Sequence, residues 1–402
     1  MKLDGKPIGQ DWDRSGLPGW TYFSEELHEI EREEVFRKMW QLVCHVNDVP
    51  ESGDFMTMDI AGERGFVVRG NDGQVRAFHN LCRHRGARVV AEEQGSCGSV
   101  ITCPFHGWTY NLDGSLRGMA VKNSFPGDVD KAQFGLKPLE MEIWHGFIFV
   151  RFKPSEQASV KELLSGFEEE ASHYNLEELL PTGEEMWVDE IPVNWKAVRD
   201  VDNEGYHVKQ AHPGLEDLYG GGYYDEVFSN GTSRSIGVFR EGAASLWSVQ
   251  AYRSILPEAT WLPESHRNMW VYIGLFPNLV IGLYPDSVTF YQELPVSPTR
   301  TIQRGTVYKF AHEDRQLKAA RYLSGRIDRD TVEEDQMLTV WSCEGAQSSA
   351  FDGIFLSDLE YGLKSHHDQL RSVIPVMTQK DEPAPGSVAK LNRSLKQENP
   401  RA

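Results

Sequence analysis

Cysteine is scarce in this chain, with five in 402 residues. That scarcity excludes a disulfide-dense secreted scaffold. Cys82 and Cys103 stand in a paired motif considered below. Cys44, Cys97 and Cys343 are an odd remainder without paired spacing, and they read as unpaired thiols in a reducing compartment. Positive charge is also in short supply. Asp and Glu number 60 against 41 Lys and Arg, for a formal net charge of −19. This argues against nucleic acid or an anionic membrane as partner. It permits a basic electron-transfer protein or a cationic substrate. No apolar run is long enough to span a bilayer. The first residues, Met1-Lys2-Leu3-Asp4-Gly5-Lys6, lack the apolar core of a signal peptide. A cytoplasmic location is the expectation. No internal repeat is visible.

What remains is ordinary in bulk. A hydrophobic fraction of 40% and a charged fraction of 25% suit a soluble globular protein, and the length suits about two domains. The informative stretch is Asn80 to Tyr110. It holds Cys82-Arg83-His84 and then Cys103-Pro104-Phe105-His106-Gly107-Trp108. Each half offers one thiolate and one imidazole. Two thiolates suit one iron and two imidazoles suit a second, which is the ligand set of a Rieske 2Fe–2S centre. A structural zinc site also takes two Cys and two His. Zinc motifs usually keep the cysteines together and the histidines together, whereas here each pair is mixed. Later, His207 and His212 stand five residues apart. Two histidines and one carboxylate make the facial triad of non-haem Fe(II) oxygenases. A lone pair at this spacing is a weak signal, but a Rieske centre upstream delivers electrons that need an acceptor.

At these residues the chain resembles the catalytic (alpha) subunit of the Rieske non-haem iron oxygenases. Gly107-Trp108 and Arg83 fit the family's first motif. Asn194-Trp195-Lys196, Glu204-x-Tyr206-His207 and His212-Pro213-Gly214-Leu215 fit its second. The resemblance implies a 2Fe–2S cluster on Cys82, His84, Cys103 and His106, and a mononuclear Fe(II) on His207, His212 and a late carboxylate. The family places that carboxylate in an acidic dipeptide at the start of a late helix. Asp335 fits best, with Asp330 and Glu334 as competitors. Glu204 takes the place of the family's acidic bridge, which relays between the mononuclear iron and a Rieske histidine of the neighbouring subunit, here His106. That position is commonly Asp, and Glu occurs in members that oxidise carnitine- and betaine-like amines. The segment Ser357 to His366 resembles the same group. Val201 stands where the family often has Asn. The implied activity is that of a terminal oxygenase fed by a reductase, with or without a ferredoxin, and acting with O₂ on a small molecule. That substrate is either a quaternary ammonium compound or an aromatic one. A homotrimer, or a multiple of three, is implied. Two other readings are a Rieske electron carrier without oxygenase activity and a zinc-stabilised binding protein.

The expected fold class is α+β. Residues 1–40 form an N-terminal segment packing on the catalytic domain, with a helix behind Ser24 as N-cap. Residues 41–154 form a small all-β Rieske domain, with strands Asp54 to Ile60, Gly65 to Arg69 and Gln74 to His79 and a closing strand from Met141 to Phe152. Residues 155–380 form the catalytic domain, an antiparallel sheet flanked by helices in a helix-grip-like arrangement. Its expected strands are Met186 to Val193, Ser235 to Phe239, Ser245 to Tyr252, Met269 to Leu275, Leu279 to Leu283, Val288 to Leu294 and Thr301 to Phe310. Its closing helices are Gln316 to Arg326 and Thr331 to Ser342. Residues 381–402 read as a loose tail. Trp247, Tyr252, Trp270, Tyr272, Phe276, Tyr284 and Tyr291 are candidates for lining a pocket, though aromatics on strands are more often core.

Overall fold

The structure is a computed structural model that describes residues 1–398 apart from 126 and 128. Its described α-helices are α1 (Glu25–Glu31), α2 (Val160–Leu163), α3 (Glu168–His173), α4 (Trp195–Asp202), α5 (Val208–Ala211), α6 (Pro213–Leu218), α7 (Trp247–Ile255), α8 (Arg315–Gly345), α9 (Tyr361–Val373) and α10 (Val388–Glu398). The chain divides into two compact units: Phe36–Glu162, and Met1–Val35 together with Leu163–Ala402.

The smaller unit is built of three antiparallel sheets of three, three and four strands. Asp54–Ile60 pairs with Glu63–Arg69, and that strand pairs with Val75–His79, as the alternation of apolar and polar residues requires. The stretch read as one closing strand is two. Glu140–Trp144 and Phe147–Arg151 pair across the turn His145-Gly146. Both turn residues have positive φ, +42° and +88°, which matches the twist of a two-residue hairpin. The continuous apolar run hid this turn. Only Gly146 fits there, because a Cβ would lie 2.0 Å from Nε2 of His45. Phe55, Phe66, Phe78, Ile101, Trp108 and Tyr110 form the core beneath the Cys82 and Cys103 loops.

The larger unit is organised on a ten-stranded sheet. From Leu180–Pro181 the order runs through Arg300–Lys309, Val288–Ser297, Leu279–Leu283, Met269–Leu275, Thr232–Val238 and Tyr223–Val227 to Lys2–Leu3 and Lys6–Pro7. Trp187–Ile191 also pairs with Arg300–Lys309. All pairings are antiparallel except that of Lys2–Leu3 with Tyr223–Val227. Leu279–Leu283 is buried along its whole length, so it has no solvent face.

Three expectations fail here. Ser245 to Tyr252 is helical (α7) rather than a strand. Trp, Val and Tyr favour strands, but Val249 and Tyr252 are buried at a spacing of three, and the carboxylate of Asp217 accepts from the N–H groups of Ser245 and Leu246 at the helix start. That cap comes from 28 residues upstream, so the local sequence does not show it. The two closing helices are one 31-residue helix, α8, started by Asp314 and unbroken through Ile327-Asp328-Arg329-Asp330. The charged stretch lacks a helix breaker, and polarity alone made it look like a loop. The expected tail contains α10. Glu26 of α1 accepts from the N–H groups of Gly386 and Val388, Lys396 pairs with Glu34, and Val388 is buried. The rest of the 381–402 expectation, beyond Glu398, lies outside the described residues.

Asn194-Trp195-Lys196 explains itself as the seat of α4. The Asn194 side chain accepts from the Lys196 N–H and donates to the carbonyls of Tyr22 and Pro298. The Lys196 ammonium is fully buried against Glu31 of α1 at 2.5 Å, and the Trp195 indole donates to the other oxygen of the same carboxylate at 2.9 Å. The Tyr22 hydroxyl donates to Asp200, and His367 of α9 donates to the same carboxylate at 2.8 Å. A buried pair of this kind costs most when half of it is removed. Lys196→Met alone should destabilise the larger unit by about 3–5 kcal/mol, and Lys196→Met with Glu31→Gln should recover most of the loss. Denaturant titration followed by tryptophan fluorescence checks both.

Candidate metal centres

The two Rieske-type loops have one backbone plan. The Cys82 N–H donates to the Ala87 carbonyl (2.7 Å) and the Gly86 N–H to the Cys82 carbonyl (2.9 Å). In the second loop the Cys103 N–H donates to the Trp108 carbonyl (2.8 Å) and the Gly107 N–H to the Cys103 carbonyl (3.0 Å). Each loop turns on a glycine at positive φ, +78° at Gly86 and +68° at Gly107, where a side chain would be strained. The plan brings the imidazoles of His84 and His106 to a centroid distance of 4.6 Å. The indole of Trp108 stacks on His84 at 5.1 Å. Nδ1 of His84 is buried and has no hydrogen-bond partner, as expected of a nitrogen reserved for a metal. Burial pushes the Cys103 thiol above its usual range despite backbone N–H groups of Phe105 and His106 directed at the sulfur. A bound cation would offset that burial. The phenol of Tyr110 lies 3.3 Å from the Cys82 sulfur and accepts from the Arg83 N–H. Tyr110 ends the motif-bearing stretch and was not singled out in the sequence; it sits on the short strand Thr109–Asn111. These residues fit a 2Fe–2S cluster.

The second centre lies in the larger unit. Past the end of α4 the chain turns through Asn203 to Tyr206 and delivers His207 to the start of α5. His212 closes α5 and opens α6, whose first residue is Pro213. The histidines therefore come from the two ends of one short helix. Gly205 is required in the turn, since a Cβ there would come within 2.0 Å of the Tyr223 ring. Gly362 of α9 similarly lets that helix meet the Asn203 carbonyl, where a Cβ would sit at 2.3 Å. The carboxylate of Asp335 comes from the middle of α8.

The Nε2 atoms of His207 and His212 are 3.0 Å apart. Oδ1 of Asp335 is 3.0 Å from the second and 3.6 Å from the first. One ligand atom from each of the three residues falls within 4.8 Å of the others. The outer nitrogens are both held. Nδ1–H of His207 donates to Glu204 at 2.5 Å, and Nδ1–H of His212 donates to Glu334 at 2.8 Å. A carboxylate only accepts, so both imidazoles keep their protons on Nδ1 and aim the Nε2 lone pairs at each other. Burial alone would lower the pKa of both histidines, but the Glu204, Asp335 and Glu334 carboxylates outweigh it and raise both. Two convergent lone pairs and one carboxylate are a cation site, and the donor set fits non-haem iron.

Glu334 is the residue that sequence reasoning misjudged. It appeared only as a rival to Asp335 for the metal. Its signal was the acidic dipeptide itself, in which Glu334 holds the outer nitrogen of His212 and Asp335 reaches the inner one. Asp330 is exposed, 3.9 Å from Arg326, and is not brought to the site.

Residues 172–375 match the ring hydroxylating alpha subunit (catalytic domain) family, and residues 39–127 match the Rieske [2Fe-2S] domain. The carnitine monooxygenase oxygenase subunit of Acinetobacter baumannii is 31% identical over 302 residues, covering 74% of this chain and 76% of the relative. The glycine betaine monooxygenase oxygenase subunit of Pseudomonas aeruginosa is 34% identical over 199 residues, which span 50% of this chain and 45% of that protein's length. A solved quaternary ammonium Rieske monooxygenase, studied for carnitine oxidation and inter-subunit electron transfer, superposes with a TM-score of 0.75 at 25% identity, covering 89% of this chain and 95% of the other. A Rieske domain beside an antiparallel-sheet domain with a histidine–carboxylate centre is the architecture of Rieske non-haem iron proteins. This chain belongs to the ring-hydroxylating alpha subunit family, whose members are oxygenases with a Rieske 2Fe–2S cluster and a mononuclear non-haem iron.

Asp335→Ala should lose the mononuclear iron and keep the Rieske spectrum. Glu334→Ala should keep Asp335 in place but weaken iron binding by about 10–100-fold. Iron quantitation against a chelator series separates the two. Loss of iron on Asp330→Ala would contradict the placement. Cys103→Ser should abolish the visible Rieske spectrum.

Proposed function

We propose that this chain is the terminal oxygenase component of a multicomponent Rieske system, and that it oxygenates a quaternary ammonium compound. The observation that carries the oxygenase reading is the His207–His212–Asp335 convergence with both outer nitrogens tied to carboxylates. An electron carrier with only a Rieske centre has no use for it. Cys82, His84, Cys103 and His106 would hold the cluster, and the triad would hold Fe(II). Between them the two centres supply single electrons and a site at which O₂ is reduced.

The chain's own residues do the rest. Glu204 and Glu334 fix the orientation of the two imidazoles. Tyr219, Tyr252, Trp270 and Tyr284 form a buried aromatic core with Val208 and Leu215 of the helices that carry these histidines. In a monooxygenation one oxygen atom of O₂ enters the substrate and the other leaves as water, with two electrons and two protons supplied from outside. The electrons come from a reductase, with or without a ferredoxin, and the negative surface suits a basic partner. No helix is long and apolar enough to cross a membrane, and we place the protein in the cytoplasm. Glu204, the carnitine and betaine relatives and the segment Ser357 to His366 support a quaternary ammonium substrate.

We further propose a homotrimer in which Glu204 links the mononuclear centre of one subunit to His106 of the next. In this chain Glu204 accepts from His207 Nδ1 and from the backbone N–H groups of Tyr206 and His207. It is thus held by its own turn and ready to receive one more donor.

Fully loaded protein should contain about three iron atoms per chain, two in the cluster and one at the triad. A value near two would favour the electron carrier. With a surrogate reductase, carnitine or glycine betaine should drive O₂ uptake and release an aldehyde, whereas aromatic acids should not. Uptake with aromatic acids alone would move the assignment to ring hydroxylation. Glu204→Gln should keep both centres loaded and the cluster reducible, while substrate-dependent reoxidation of the cluster slows by orders of magnitude in a single turnover. Near-normal reoxidation would leave Glu204 a structural residue. A fully active monomer in sedimentation analysis would rule out the trimeric relay.

A further inference from the structure

Asp328 stands seven residues before Asp335 on the unbroken helix α8. Seven residues are close to two turns, so the two side chains leave the same face about 10 Å apart along the axis. Asp328 is half-buried. Among the described residues its carboxylate has one hydrogen-bond donor, the Tyr284 hydroxyl at 3.2 Å, and no cation within ion-pair distance. The neighbouring Arg329 guanidinium lies instead over the exposed ring of Tyr322.

Three fully buried carboxylates of this unit are better provided for. Glu31 holds Lys196 and the Trp195 indole. Glu293 faces Arg199 at 3.6 Å and accepts from Gln303. Asp286 accepts from the hydroxyls of Tyr252, Ser287 and Ser324. A half-buried carboxylate with a single neutral donor is short of positive charge.

The surroundings of Asp328 are aromatic. Tyr284, its donor, stacks on Trp270 at 4.1 Å, and Tyr272 meets the same ring edge-on at 5.8 Å. Tyr219, just beyond α6, packs edge-on to Trp270 and feels the charges of both Asp328 and Asp335. Tyr291 feels both Asp202 and Asp328. Tyr219 therefore lies near both Asp328 and the candidate iron centre. Burial, with a smaller push from the Asp286 charge, raises the Asp328 carboxyl to about 7, against the Tyr284 hydrogen bond and the weaker pull of Arg329, which forms no ion pair with it. A nearby cation would draw it fully into the charged form.

A quaternary ammonium has no N–H to donate, so it is recognised by aromatic faces and by unpaired negative charge rather than by hydrogen bonds. We propose that Asp328, backed by Tyr284 and Tyr272, is the residue that selects a cationic substrate at the His207–His212–Asp335 centre. This rests on the quaternary ammonium reading above and names the group that would read the charge. The neutral Asp328→Asn variant should then lose selection for charge without losing the centre.

The test uses loaded holoenzyme under anaerobic conditions and calorimetric binding of two probes. One is carnitine. The other is its isostere with a tert-butyl group in place of trimethylammonium, which keeps the carboxylate and lacks the cationic charge. Wild type should bind carnitine about tenfold or more tighter than the isostere. Asp328→Asn should lose that preference by weakening carnitine alone, with iron content and the Rieske spectrum unchanged. Asp328→Ser, smaller and also neutral, should behave alike and serves if the Asn amide disturbs packing. Asp328→Glu should retain the preference. A neutral variant that still prefers carnitine overturns the role of Asp328 and leaves the substrate reading standing. A wild type that binds aromatic acids and no quaternary ammonium overturns both.

Discussion

The larger unit depends on two imidazoles turning the same nitrogen inward. A free imidazole has no such preference. Here it is imposed from outside, by Glu204 on one ring and Glu334 on the other. The two carboxylates have different supports. Glu204 belongs to the same tight turn as its histidine, so its grip is local and built from backbone N–H groups. Glu334 comes from a helix more than 120 residues downstream, so its grip reports whether α8 has docked. The candidate centre is complete only when a local turn and a distant helix agree.

That agreement rests in turn on α4, which leads into the turn carrying Glu204. Its first turn is held by Asn194, Lys196 and Glu31, and its last by Asp200 with Tyr22 and His367. The partners come from the N-terminal residues and from α9, at opposite ends of the sequence. The N-terminal segment and the late helices thus share one task, which is to fix a short helix that contributes no candidate ligand itself.

Much of the site was legible in the sequence because the chemistry restricts residue type. Mixed Cys/His pairs and a His-x4-His spacing followed by a late acidic dipeptide are few-letter requirements. The folds of the loops around them were also partly legible, since glycines at 86, 107 and 205 mark backbone that no other residue can follow. Features that depend on a partner far along the chain were not legible. Asp217 capping α7, Glu334 rather than solvent on the outer face of His212, and Tyr110 beside the Cys82 sulfur are decided by packing. The buried strands Met269–Leu275, Leu279–Leu283 and Val288–Ser297 were read closely, because burial demands an apolar run, whereas the more polar Tyr223–Val227 was missed. The errors also fell on α7, on the hairpin at His145-Gly146, on the charged middle of α8 and on the tail that contains α10, where local composition and tertiary environment disagree.

The charged stretch of α8 from Arg329 to Glu333 is largely exposed, and its side chains have little to satisfy. Its length is another matter. Each residue of an α-helix turns the chain by about 100°. One residue gained or lost between Ile327 and Glu334 would carry the acidic dipeptide off the face that meets His212 while leaving the helix intact. This stretch is therefore free in letter and fixed in phase. Related chains should vary here by substitution and hardly ever by insertion, although nothing in its composition distinguishes it from an ordinary solvated surface.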